Sequence, residues 1–289
     1  MAALRSLSGS LAGVMAMTMT YPLSTLSILQ QTGRSDVSEG SGGSWVQQVR
    51  ELYAEKGVGE LYAGLQPALF GIAVSEGVFY LAFSTARSTY KTVAGVDNAG
   101  ITPPVHLLLS AVAGAINVVA TNPIWVLNNR CITDEDGTKA GLWARASALV
   151  AEEGMGGLYA GLKPSLLLVV NPIITYTLFE SLKPWAGPGN MTRAKRFLLG
   201  AFAKTIATII TYPYVMIKSR MQMKKSQGAK KTSAWDILRE IYARGGVRAL
   251  YAGIIVKLVQ SVSRNALLFL FEDEVFKTLL LLVKLLKLA

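Results

Sequence analysis

One four-residue phrase occurs three times in this chain and limits what it can fold into. Leu61-Tyr62-Ala63-Gly64, Leu158-Tyr159-Ala160-Gly161 and Leu250-Tyr251-Ala252-Gly253 recur at a period of about one hundred residues. A tryptophan precedes each copy: Trp45, Trp143 and Trp235. Further upstream lie Tyr21-Pro22, Asn122-Pro123 and Tyr212-Pro213. The stretch between tryptophan and tyrosine, as in Trp235-Asp-Ile-Leu-Arg-Glu-Ile-Tyr242, carries apolar residues at helical spacing and reads as a short surface helix. Three copies of one unit predict three structural repeats, here 1–95, 96–188 and 189–289, in a single domain.

The segments between the motifs are apolar. Six stretches, near 4–31, 64–90, 103–131, 161–183, 192–222 and 253–280, are long enough for the roughly 20 helical residues that cross a bilayer. Each is interrupted by Gly, Ser, Thr, Asn or Pro, which spans tolerate where helices pack or line a wet cavity. Gly9 and Gly13 form a small-xxx-small pair suited to close helix contact. Pro22, Pro123 and Pro213 each remove a backbone donor and are expected to kink their spans. Each repeat therefore reads as span, proline kink, surface helix, glycine turn, span. The predicted fold class is an all-α membrane protein of six transmembrane helices around a pseudo-threefold axis. A soluble all-α protein is the competing reading.

Composition narrows function. Charged residues make up 16% of the chain, against about 25% in soluble proteins, yet the net charge is +11. One cysteine, Cys131, excludes a disulfide scaffold, and one histidine, His106, argues against histidine-based metal or acid–base catalysis. No nucleophile–base pair, metal site or bound cofactor is expected. Neither is a nucleic-acid site: the cluster Lys224-Lys225…Lys230-Lys231 reads as a solvated or lipid-facing loop. No secretory or Arg-rich transit segment is read at the N-terminus. Acidic membrane lipids are expected partners for cations that flank the spans.

Cations inside the spans are different. A charge there is costly unless it faces water, which makes it a functional candidate. Lys204, Lys257 and Arg264 are the candidates for binding an anion, and Glu76 and Asn171 are further polar candidates. Asn171-Pro172 also reads as a local kink, and Lys204 as a residue able to snorkel.

The triple proline-centred pattern resembles the mitochondrial carrier family over nearly the whole chain. Thr121-Asn-Pro-Ile-Trp-Val-Leu-Asn-Asn-Arg130, Thr211-Tyr-Pro-Tyr-Val-Met-Ile-Lys-Ser-Arg220, Leu166–Glu180 and Lys257-Leu-Val-Gln260 are similar to its peroxisomal adenine-nucleotide branch. That resemblance implies a monomeric antiporter working by alternating access. It would exchange ATP for AMP or ADP across the peroxisomal membrane, supplying ATP for fatty-acid activation and β-oxidation. The alternatives are coenzyme A, FAD or NAD on the same fold, the mitochondrial inner membrane as location, or a membrane scaffold that transports nothing.

The resemblance also implies two gates. In the family, ion pairs follow each proline, with an acid two residues on and a base five on. Here those positions hold Ser24, Trp125 and Val215, then Ser27, Asn128 and Lys218, so no acid–base pair can form. The implied pairing sets Ser24 against Asn128 for a hydrogen bond and Trp125 against Lys218 for a cation–π contact, with Gln31 and Gln222 as braces. The opposite gate keeps Arg87, Glu180, Lys183 and Glu272, paired as Arg87–Glu180 and Lys183–Glu272, while Ser84 and Val275 have lost their charges together. A plain i,i+3 neighbour pair is the simpler reading of Glu180 and Lys183. The proline-side gate is thus expected to be the weaker. Counting back about three turns from the second motif, as the family implies, gives Gly71-Ile72 for the adenine face and Gln260 as further substrate contacts.

Overall fold

The structure is a computed structural model that describes residues 2–33, 45–97, 100–133, 141–186, 192–223 and 233–288. The lysine cluster at 224–231 lies outside them, as do the side chains of Trp45 and Glu272. The described residues are helical throughout, with no strand.

In the first repeat α1 (Ala2–Thr32), α2 (Trp45–Leu61) and α3 (Leu65–Ala94) follow in order. The second holds α4 (Pro103–Thr133), α5 (Leu142–Glu153), α6 (Met155–Leu158), α7 (Leu162–Leu167) and α8 (Val170–Leu182). The third holds α9 (Arg193–Gln222), α10 (Ala234–Leu250) and α11 (Ile254–Leu288). Five helical segments are long and apolar enough to cross a membrane alone. The sixth passes when α10 and Ile254–Leu268 of α11, bent by 55°, are taken together. The six spans are α1, α3, α4, α7–α8, α9 and α11. Each packs on its neighbours, α1 on α3 and α11, α4 on α3 and α7, and α9 on α8 and α11, which closes a ring.

The three signature motifs meet inside each repeat. The residue before each proline reaches the alanine carbonyl of its own Leu-Tyr-Ala-Gly. Tyr21 Oη donates to Ala63 O at 3.0 Å, Asn122 Nδ2 to Ala160 O at 3.2 Å, and Tyr212 Oη to Ala252 O at 2.6 Å. The tyrosines of the first and third motifs stack on those partners, Tyr62 on Tyr21 and Tyr251 on Tyr212. Two residues before each proline is a threonine whose hydroxyl donates back to the i−4 carbonyl: Thr20 to Ala16, Thr121 to Asn117 and Thr211 to Ala207, each at 2.8 Å. Such back-bonds and the missing proline donor both favour helix bending. All three helices nonetheless continue through Pro22, Pro123 and Pro213.

The motif glycines then join one repeat to the next. Gly64, Gly161 and Gly253 have φ of 79°, 69° and 75°, the left-handed region that a side chain disfavours. A Cβ at Gly64 would lie 3.0 Å from Asn128, at Gly161 3.2 Å from the Lys218 carbonyl, and at Gly253 2.9 Å from Gln30 Cβ. The first repeat thus touches α4, the second α9 and the third α1, which is threefold cyclic contact.

Each surface helix docks an apolar face beside its proline. Leu52 of α2 buries with Leu29, Leu149 of α5 with Val126 and Leu127, and Ile237 and Ile241 of α10 with Tyr212, Met216 and Ile217. Burying one such aliphatic side chain contributes about 1.5–3 kcal/mol. Ser233 and Asp236 form a capping box that starts α10. Trp143 and Trp235 are exposed, as suits rings at a membrane interface.

Candidate functional site

The ring of spans encloses a cavity of about 1130 Å³. Seven predicted substrate residues line it: Ile72, Glu76, Asn171, Lys204, Lys257, Gln260 and Arg264. Gly71 does not. A Cβ there would meet Ile124 at 3.2 Å and Trp125 at 3.5 Å, so this glycine lets α3 approach α4 rather than offering backbone to a ligand. Gly9 and Gly13 also line the cavity. A Cβ at Gly13 would meet Leu268 of α11 at 3.8 Å, whereas one at Gly9 would meet nothing within 4 Å.

The two lysines are held by neutral groups, which orients them without neutralising them. Lys204 Nζ donates to Asn171 Oδ1 at 2.6 Å, and Asn171 Nδ2 donates to Thr211 Oγ1 at 2.7 Å. Asn171 comes just after the break between α7 and α8. It is therefore both at a helix interruption and in the cavity wall. Lys257 Nζ donates to Gln260 Oε1 at 3.1 Å, and Gln260 Nε2 donates to Ser24 Oγ at 3.1 Å. An ammonium has three N–H donors, so each lysine retains two for a ligand. Glu76 acts electrostatically on Arg264, and Lys257 lies within the field of Arg264, Lys204 and Lys218. Three cations and one carboxylate line a water-accessible cavity between apolar helices, where charge is worth more than on an open surface.

Towards the prolines the cavity floor is closed by hydrogen bonds, most of them between neutral groups. Asn128 Nδ2 donates to Tyr21 Oη at 2.9 Å and to Gly64 O at 2.7 Å, joining α4 to the first repeat. Asn129 Nδ2 donates to Gln222 Oε1 at 2.5 Å, joining α4 to α9. Ser219 Oγ donates to Gln31 Oε1 at 2.6 Å and Arg220 Nε to Gln31 O at 3.1 Å, joining α9 to α1. Gln31, Asn128, Asn129 and Gln222 are all buried. This differs from the expected pairing. Asn128 donates to Tyr21 and Gly64 rather than to Ser24, which accepts from Gln260. Trp125 packs on Gly71 and the apolar cluster around Ile72.

At the other end Glu180 pairs with Lys183 of its own chain segment at 3.4 Å, and their side chains are 41% and 52% exposed. Arg87 Nε is buried and has no hydrogen-bond partner among the described residues. Glu272 falls outside the described side chains. Among the described side chains, the hydrogen bonds between spans gather at the proline-side end.

Several features escaped sequence reasoning. Arg130 grips Glu153 through both nitrogens, at 2.8 and 2.9 Å, and ties the end of α4 to α5. Tyr80, Ser261, Asn265 and Thr208 line the cavity too. The threonine two before each proline was a readable signal that went unused. His106 sits in the first turn of α4 with its ring 5.0 Å from that of Phe83, and Cys131 is a half-buried thiol.

Comparison with known proteins agrees with this architecture. The family model described as mitochondrial carrier protein matches residues 2–93, 100–188 and 189–282. The chain is 32% identical to the peroxisomal nicotinamide adenine dinucleotide carrier of Arabidopsis thaliana, covering 96% of both chains. It is 32% identical to peroxisomal membrane protein PMP47B of Candida boidinii, covering 92% of this chain and 84% of that one. It is 26% identical to peroxisomal adenine nucleotide carrier 1 of Glycine max, covering 97% and 92%. With three matched repeats, six spans in a ring and one charged cavity between them, this multi-pass membrane protein belongs to the mitochondrial carrier family.

Proposed function

We propose that the protein is a nucleotide antiporter of the peroxisomal membrane, exchanging ATP for AMP or ADP by alternating access. The observation that carries this reading is the set of Lys204, Lys257 and Arg264 in one cavity between six apolar helices. Burying three cations there makes sense for a site that takes a phosphorylated anion. Ile72, beside them in the wall, offers an aliphatic face to a purine ring. The peroxisomal location follows the names of the similar carriers.

The hydrogen-bonded ring of Asn128, Asn129, Gln31 and Gln222 serves as one gate, closed in this conformation. Arg87, Glu180, Lys183 and Glu272 serve as the other. A phosphorylated anion on Lys257 competes with its bond to Gln260 and so with the link from Gln260 to Ser24 of α1. Neutral links cost less to break than ion pairs, which lowers the barrier to opening the proline side.

A second reading keeps the adenosine phosphate and enlarges the rest, as in NAD, coenzyme A or FAD. It is favoured by the likeness to a carrier named for nicotinamide adenine dinucleotide. The test is uptake of labelled ATP by reconstituted protein in liposomes loaded with AMP, ADP or buffer. Uptake that requires an internal nucleotide is expected; absence of nucleotide uptake under every loading refutes the reading.

A further inference from the structure

The cavity-lining residues of α9 fall on one face at helical spacing: Lys204, Thr208, Thr211 and Val215. The next position in that register, three residues or about 4.5 Å past Val215, is Lys218. Four residues further on is Gln222, which belongs to the hydrogen-bonded floor. Lys218 is therefore the cation between the cavity and the floor. Its charge acts on Lys257, as do those of Lys204 and Arg264. Its backbone is fixed: the Lys218 carbonyl would lie 3.2 Å from a Cβ on Gly161, and the next residue, Ser219, donates to Gln31. Its side chain is half-buried and uncommitted, with no hydrogen bond or ion pair among the described residues. The positions two after each proline offer it no carboxylate, since they hold Ser24, Trp125 and Val215, and Trp125 packs on Gly71.

An ammonium kept half-buried between apolar helices without a counter-charge is costly, and an anion that reaches it relieves the cost. We propose that Lys218 contacts the distal phosphates of a bound nucleotide and so sets the preference for longer phosphate chains, rather than serving as a gate residue. This rests on the nucleotide reading above. Lys204 and Lys257 are each committed to an amide oxygen and hold the phosphate nearest the ribose. Lys218 keeps all three N–H donors for the phosphates beyond it. A monophosphate on the upper lysines ends short of Lys218, and each added phosphate extends towards it. Contact differs from a diffuse electrostatic field in its pattern. A field acts on every phosphate, so its loss grades with phosphate number. A contact acts only once the chain is long enough, so its loss falls at a single added phosphate.

The experiment measures equilibrium binding of labelled AMP, ADP and ATP to purified full-length protein, as wild type, Lys218→Gln and Lys218→Met. In both variants ATP is expected to bind roughly tenfold more weakly or worse, the order of one charge-assisted hydrogen bond. AMP is expected to stay within about twofold of its wild-type affinity, and the whole loss to fall at one added phosphate. Because the side chain has no partner to orphan, both variants are expected to fold. Unchanged ATP affinity, an equal loss for all three nucleotides, or a loss that grades evenly with phosphate number would each overturn the proposal. Failure of both variants to fold would also overturn it, by making Lys218 a structural residue. Absence of binding of all three nucleotides to the wild type would instead refute the nucleotide reading, and this inference with it.

Discussion

Replacing Gln222 with alanine asks whether neutral hydrogen bonds hold the proline-side end together. Gln222 is fully buried. It accepts from Asn129 at 2.5 Å and donates to Ala160 O at 3.3 Å and Asn122 Oδ1 at 3.5 Å. Truncation orphans the Asn129 amide, at about 1–3 kcal/mol for a buried donor. It also leaves a void at the joint of α4 and α9, which brings the loss to about 2–4 kcal/mol. For a chain of this size that is roughly 5–10 °C in Tm. Glu180→Ala removes an exposed i,i+3 pair, worth about 0–1 kcal/mol after solvent screening. Gln222→Leu keeps most of the volume and loses only the hydrogen bonds, so it should fall between the two. The assay is thermal unfolding of the purified protein in detergent, followed by intrinsic tryptophan fluorescence. A shift for Gln222→Ala no larger than that for Glu180→Ala would refute the stabilising role of these bonds.

Other outcomes follow from the same geometry. Gly253→Ala should lower Tm by about as much as Gln222→Ala, because it combines a left-handed φ with a Cβ 2.9 Å from Gln30 Cβ. The same substitution at Gly59, which nothing approaches within 4 Å, should not lower it. Arg130→Ala and Glu153→Ala should each cost about 1–3 kcal/mol, and a double-mutant cycle on unfolding should show strong coupling between them. Asn171→Ala should raise KM for nucleotide uptake roughly three- to tenfold, since Lys204 loses the acceptor that orients it.

The repeats, the spans and most of the cavity were legible in the sequence, for physical reasons. Lys204, Lys257 and Arg264 stood out because a cation within an apolar span can rest comfortably only against water or a counter-charge. Their partners were harder to read, because Asn171, Gln260 and Ser24 are neutral and common in such helices. Gly71 illustrates a limit: a helical glycine signals close approach but does not say to what, and here the neighbour is Ile124. The bonds at the proline-side end were not legible because the sequence shows only missing charges there, whereas the bonds join residues far apart in the chain, Gln31 with Ser219 and Asn129 with Gln222. Tyr80 passed unnoticed because an aromatic residue in an apolar span reads equally well as facing lipid.

The central claim is that Lys204 and Lys257 hold a phosphorylated anion midway through the membrane. Its most direct test is uptake of labelled ATP into AMP-loaded proteoliposomes by the wild type, Lys204→Gln, Lys257→Gln and, as a control at the opposite end, Lys183→Gln. Uptake should fall more than tenfold for each cavity lysine and less than twofold for Lys183→Gln. Wild-type rates in Lys204→Gln and Lys257→Gln would contradict the account.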